Sequence, residues 1–112
     1  MFSTFNLAAH VGDERDAVTN NRTELKRALC LPAEPFWLSQ VHGCDVIDVS
    51  EGSVGAVADA AYTTAPGSVV AMMTADCIPL FLSDTRGSFV AIVHVGWRGL
   101  CAGVIEALLG KL

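Results

Sequence analysis

The sequence has 112 residues, with seven Lys plus Arg against twelve Asp plus Glu, a formal charge of −5 and a pI near 4.9. That length makes one domain, and the acidic balance excludes nucleic acid and anionic membrane as main partners, because both require a basic face. At 52% hydrophobic and 17% charged, with mean hydropathy +0.46, the chain is too apolar for disorder, and some of its apolar surface is expected to meet something outside it.

The first predicted element is a helix after Asp13, which stands as its cap. Glu14 and Asp16 suit its positive end, and Lys26 and Arg27 its negative end. Val18, Leu25, Ala28 and Leu29 are expected to share its buried face, and Pro32 to stop the chain soon after. Strands are expected over 36–42 and 46–49, separated by Gly43, then over 57–63 and 68–74, the last of them buried. Ala75-Asp76-Cys77 interrupts the pattern before a further extended run at 78–82. A hairpin turn at 84–87 leads into 89–95, a run apolar on both faces. Beyond Gly96-Trp97-Arg98-Gly99 the period becomes helical, with Leu100, Val104, Leu108 and Leu112 every four residues, joined by Ile105 and Leu109.

Strand runs with a helix near each end predict an α/β or α+β domain. The second helix shows a wide apolar face with no covering element. Residues 1–112 therefore read as a partial domain, completed by further polypeptide or by self-association. The longest apolar runs are far too short for a membrane span, and the first residues lack the basic start and apolar core of a signal peptide. The cysteines Cys30, Cys44, Cys77 and Cys101 form no C-x-x-C pair. With an ample core available, a disulfide scaffold is unnecessary, and a reducing cytoplasm is the expected compartment.

Three histidines carry the chemistry to be weighed. His10 precedes the first helix, where a loop or capping role competes with a functional one. His42 ends a strand before Gly43. His94 lies in an apolar strand, where a satisfied core role is the ordinary reading. Cys77 follows Asp76 at the break in an apolar run, and a charge there must be accommodated. His42, Cys77 and His94 all fall at strand ends, where α/β folds collect functional side chains. Two imidazoles and a thiolate suit Zn²⁺ with a fourth position for water, although separations of 35 and 17 residues match no zinc-finger spacing. Gly96-Trp97-Arg98-Gly99, at a strand-to-helix junction, offers backbone N–H groups and the forked Arg98 guanidinium to phosphate or carboxylate. A tight turn with Arg98 in a salt bridge is the competing reading. Cys30, Cys44 and Cys101 have no convergent partners and read as filler.

Three segments then resemble the signature segments of the YfiH family, labelled polyphenol oxidase or laccase-domain and, more recently, purine nucleoside phosphorylase. They are Trp37-Leu38-Ser39-Gln40-Val41-His42-Gly43, Thr74-Ala75-Asp76-Cys77-Ile78-Pro79-Leu80, and the stretch from His94-Val95-Gly96-Trp97-Arg98-Gly99 to Val104. Phe5-Asn6-Leu7, His10-Val11-Gly12-Asp13 and Asn21-Arg22 resemble its N-terminal part. The resemblance implies a layered α-β-β-α sandwich with mixed sheets, and a zinc site of His42, Cys77 and His94. It further implies phosphorolysis of adenosine, inosine and methylthioadenosine with inorganic phosphate, alongside adenosine deamination. Asn6 and His10 would join Arg98 in holding substrate or phosphate.

A metal-free cysteine hydrolase or amidase, with Cys77 as nucleophile and a histidine as base, uses the same residues. Its substrates could be peptidoglycan precursors. A non-catalytic interaction module is a third reading. A multicopper cluster needs more histidines than this chain has.

Overall fold

In the computed structural model, which describes residues 4–112, helix α1 runs Arg15–Ala28. Asp16 lies in its first turn and Lys26 and Arg27 in its last, as the charge pattern predicts. The cap differs. Glu14 occupies the N-cap position, while Asp13 accepts hydrogen bonds from the Glu14 N–H (2.9 Å) and the Asn6 side-chain amide (2.9 Å). The expected apolar face is also narrower than its pattern: Val18 is buried and Leu25 half-buried, but Ala28 and Leu29 are exposed. A polar residue anchors the helix instead. The Arg22 guanidinium lies 4.1 Å over the Trp37 ring and donates twice to the Leu7 carbonyl.

Two sheets follow. β1 (Phe36–Trp37) and β4 (Val70–Ala71) form a parallel pair. β2 (Val46–Asp48), β3 (Ala60–Thr63), β5 (Ile78–Ser83) and β6 (Val90–Val95) form a mixed sheet in the order β2-β3-β6-β5. Only β2 and β3 run parallel there. The strands expected over 36–42 and 68–74 are thus reduced to two residues each, and the second is half-buried rather than buried. The cause is local. Ser39 leaves β4 to bridge Val57, and the Gln40 side chain takes both the N–H and the C=O of Met73 (2.8 and 2.7 Å) in place of a backbone ladder. The turn at 84–87 forms as expected, closed by Asp84, which accepts from the Ser88 N–H and hydroxyl.

β6 is the centre of the domain. Its alternation sends Ala91 and Val93 to one face of the sheet and Ile92 and His94 to the other. On the first face they pack with Ala60, Val104 and Leu108; on the second, Ile92 packs with Phe36, Leu38 and Ala61.

After β6 the chain forms two short helices, α2 (Trp97–Ala102) and α3 (Val104–Leu109), rather than one. Gly103 breaks them at φ 85°, a left-handed conformation that suits a residue without Cβ. The break splits the four-residue stripe: Val104 and Leu108 are fully buried, whereas Leu100 and Leu112 are about half exposed, at 51% and 45%. Each buried one contributes about 1.5–3 kcal/mol.

The layers are therefore α3, the four-stranded sheet, the β1–β4 pair and α1, an α-β-β-α arrangement. Among the described residues no helix is long and apolar enough to cross a membrane, and all four cysteines are free.

Candidate metal centre

His94 reaches the site from the penultimate position of β6, buried, on the face directed at the β1–β4 pair. Its backbone N–H donates to the Asp59 carbonyl (2.7 Å), and its ring Nδ1 lies 2.8 Å from Asp59 Oδ1. Asp59, fully buried just before β3, also accepts the backbone N–H groups of Val41, His42 and Gly43 at 3.1, 2.9 and 2.7 Å. His42 sits within that loop at φ 60°, a left-handed conformation uncommon for a residue with a side chain. Its ring meets the His94 ring edge-on, with centroids 4.7 Å apart.

Cys77 stands immediately before β5, with Sγ 3.9 Å from His42 Nε2. The register of β5 on β6 pairs Ile78 with Val95, which brings Cys77 opposite Gly96. Gly96 is there for room. A Cβ at that position would lie 2.7 Å from His42 Cδ2 and 3.2 Å from Cys77 Sγ. Gly99 meets the same loop, its Cβ position 2.9 Å from the Gly43 carbonyl oxygen. The two glycines of the Gly-Trp-Arg-Gly stretch thus serve close packing against the histidine loop. Gln40, through its paired bonds to Met73, ties that loop to the segment leading into Cys77.

One ligand atom from each of His42, Cys77 and His94 lies within 4.8 Å of the others. The donor set of two imidazoles and one thiolate fits a zinc-sized ion. The fit extends to the surroundings, since Nδ1 of His94 is occupied by Asp59 and Nε2 is left to serve as the ligand atom. The cluster opens into a cavity of about 280 Å³.

The electrostatics of the two acidic partners run in opposite directions. Burial by itself would push the Asp59 carboxyl up, but the His94 ring and the three loop amides outweigh it and hold the group below the ordinary carboxylate range. At Cys77 every influence points upward: burial first, then the adjacent Asp76 carboxylate, which accepts from the thiol at 3.8 Å, and the more distant Asp59.

The other expected site residues are placed differently. His10 lines the cavity with the cluster and is exposed. Asn6 lies beside a separate, largely apolar cavity of about 700 Å³, with its amide engaged by Ala8 and Asp13. Arg98 is exposed in α2, outside the cavity lining, 5.3 Å over the Trp97 ring, and makes no ion pair among the described residues.

Asp59 is the residue that sequence reasoning passed over. A signal existed: in Val57-Ala58-Asp59-Ala60-Ala61 a lone carboxylate interrupts a predicted strand of small apolar residues. The same reasoning was applied to Asp76, which turns out to be exposed.

A family model described as Multi-copper polyphenol oxidoreductase laccase matches residues 1–112. The chain is similar to "Purine nucleoside phosphorylase YfiH" of Escherichia coli (strain K12), 49% identical over 106 residues that cover 94% of this chain and 44% of that protein. It is similar also to "Purine nucleoside phosphorylase" of Haemophilus influenzae, 46% identical over 94% of this chain and 43% of the relative. Among solved structures, YlmD from Geobacillus stearothermophilus superposes with a TM-score of 0.85 at 32% identity, over 95% of this chain and 43% of that one. The Bacillus licheniformis hypothetical protein YfiH gives 0.87 at 26% identity, over 96% and 44%. The chain spans less than half the length of these relatives.

Proposed function

For a chain that belongs to the family described as multi-copper polyphenol oxidoreductase laccase, we propose a zinc-dependent reaction on purine nucleosides: phosphorolysis of adenosine, inosine and methylthioadenosine, with adenosine deamination as a second activity. One observation carries the reading. His42, Cys77 and His94, far apart in sequence, bring their donor atoms within 4.8 Å of one another beside an open cavity. The names of the relatives support the nucleoside, and the donor set supports the ion. The family description speaks of several coppers, but this chain has three histidines, and two of them stand in one cluster that suits a single ion.

His42, Cys77 and His94 would hold the zinc, which when bound supplies a Lewis acid to polarise an oxygen or nitrogen of the substrate. The protein's own part is orientation and charge. Cys77 would serve as a ligand in its thiolate form, giving up its proton to solvent as the metal binds. His10, at the cavity wall, would touch the nucleoside. Arg98 would reach phosphate from outside the lining with a forked guanidinium that no carboxylate among the described residues claims. Asn6 would act at one remove, holding the 6–13 segment that carries His10. The exposed apolar side chains of Leu100 in α2, Leu109 at the end of α3 and Leu112 beyond it belong to the same proposal as a face for further polypeptide or a second copy.

The rival reading, a metal-free cysteine hydrolase, draws on the 3.9 Å approach of Cys77 Sγ to His42 Nε2. Against it stands the upward push on the thiol from burial and Asp76, the reverse of what an activated cysteine nucleophile needs. Metal analysis with a nucleoside panel separates the two. The expected result is about one zinc per chain, lost together with activity on chelation. Inosine breakdown should require phosphate and yield ribose 1-phosphate. Activity that survives chelation but not thiol alkylation would favour the hydrolase.

A further inference from the structure

One carboxylate touches both histidine-bearing elements. Asp59 Oδ1 accepts from the His94 ring and the His42 N–H, and Oδ2 accepts from the Val41 and Gly43 N–H groups. Four donors use the full acceptor capacity of an ionised carboxylate. The group is fully buried, with no water-facing alternative. We propose that Asp59 is the positioning residue of the cluster, setting His94 in the tautomer that leaves Nε2 free and holding the 41–43 loop in the left-handed turn that aims His42. This inference rests on the metal-centre reading for its purpose, though the positioning itself is a property of the protein alone.

The chemistry makes the residue type specific. In Asp59→Asn one oxygen becomes an NH₂ group. Placed at Oδ2 it confronts two amide donors, Val41 and Gly43, and the left-handed turn loses its anchor. Placed at Oδ1 it confronts the His42 N–H and presents a donor to His94 Nδ1, which then becomes an acceptor and moves the ring proton to Nε2. Either arrangement disables one imidazole while the side-chain volume stays nearly constant. A role in packing alone would be preserved by the same substitution.

The test uses the 112-residue chain, wild type and Asp59→Asn, with zinc itself as the probe. Zinc affinity is read by chelator competition, and the ring tautomers by long-range ¹H–¹⁵N spectra of the metal-free protein. The expected wild-type result is His94 protonated at Nδ1. Asp59→Asn should bind zinc about 10–100-fold more weakly, the range for removing the partner of a ligand histidine. Its His94 signal should move toward the Nε2-protonated form, or its residue 41–43 amide signals should lose their wild-type positions. A wild-type His94 protonated only at Nε2 overturns the proposal, as does an Asp59→Asn protein with unchanged affinity and unchanged spectra. If the wild type binds no zinc, the metal reading fails, and the tautomer and loop signals still decide the role of Asp59. If Asp59→Asn does not fold, the wild-type spectra decide it without the variant.

Discussion

The two halves of the cluster are built in opposite ways. His94 belongs to β6, a central strand covered on both faces, and its direction follows from strand alternation and burial. His42 and Cys77 lie where regular pairing has stopped, one in the bend after Ser39 and the other just ahead of β5. Their positions depend on individual bonds: three amides on Asp59 and a two-point grip by Gln40 on Met73. His94 is placed by the sheet and Cys77 by the register of β5 together with the Gln40 grip, whereas His42 is placed by side chains that replace the sheet. The difference teaches that the loop-borne half should fail first, and without loss of the fold.

The largest expected effect comes from intruding on that half. Gly96→Ala puts a Cβ 2.7 Å from His42 Cδ2 and 3.2 Å from Cys77 Sγ, so the ring must move. Zinc affinity should fall by about 100-fold, with the thermal unfolding free energy lowered by only about 1–3 kcal/mol. Equal affinity in the variant would mean that the loop adapts freely, and the contrast would collapse. A middle effect is expected from Gln40→Ala, which removes both bonds to Met73. It should cost about 1–2 kcal/mol of stability and roughly tenfold in zinc affinity, while the His94 ring signals stay as in the wild type. Movement of those signals would show that the two halves are coupled. The smallest effect belongs to Cys30→Ser, Cys44→Ser and Cys101→Ser, which lie outside the cluster. Each should leave zinc binding unchanged and shift stability by no more than about 0.5–1 kcal/mol, checked by titration and melting. A loss of zinc at any of them would widen the site beyond three ligands.

How much of this was readable in the sequence follows the same division. The mixed helix and strand pattern, the turn at Asp84–Gly87 and the apolar run of β6 are local signals, and the structure bears them out. Cys77 and His94 do stand beside strand ends, whereas His42, expected to close a strand over 36–42, lies in the loop between β1 and β2. The extents of β1 and β4 were overstated because an apolar run records that a segment is buried, not whether a neighbouring strand pairs along its whole length. The helical stripe ran through Gly103 because periodicity ignores a single break, whereas φ 85° changes the direction of everything after it. Asp59 escaped because its partners lie 16 to 18 residues upstream and 35 downstream, and nothing in its own neighbourhood names them.

The Gly-Trp-Arg-Gly stretch has a consequence for how mutational tolerance should be interpreted. Its outer glycines answer to the interior: a methyl group at either one strikes the His42–Gly43 loop. Its inner pair answers to nothing inside the described fold, since Trp97 is 72% exposed and the Arg98 guanidinium reaches only the neighbouring indole. In a survey of all substitutions, intolerance at Gly96 or Gly99 would report on steric fit alone. Intolerance at Trp97 or Arg98 would be a footprint left by something pressing on them from outside, a substrate or another stretch of polypeptide. Four adjacent letters thus keep two separate records, one of the protein's inside and one of its company.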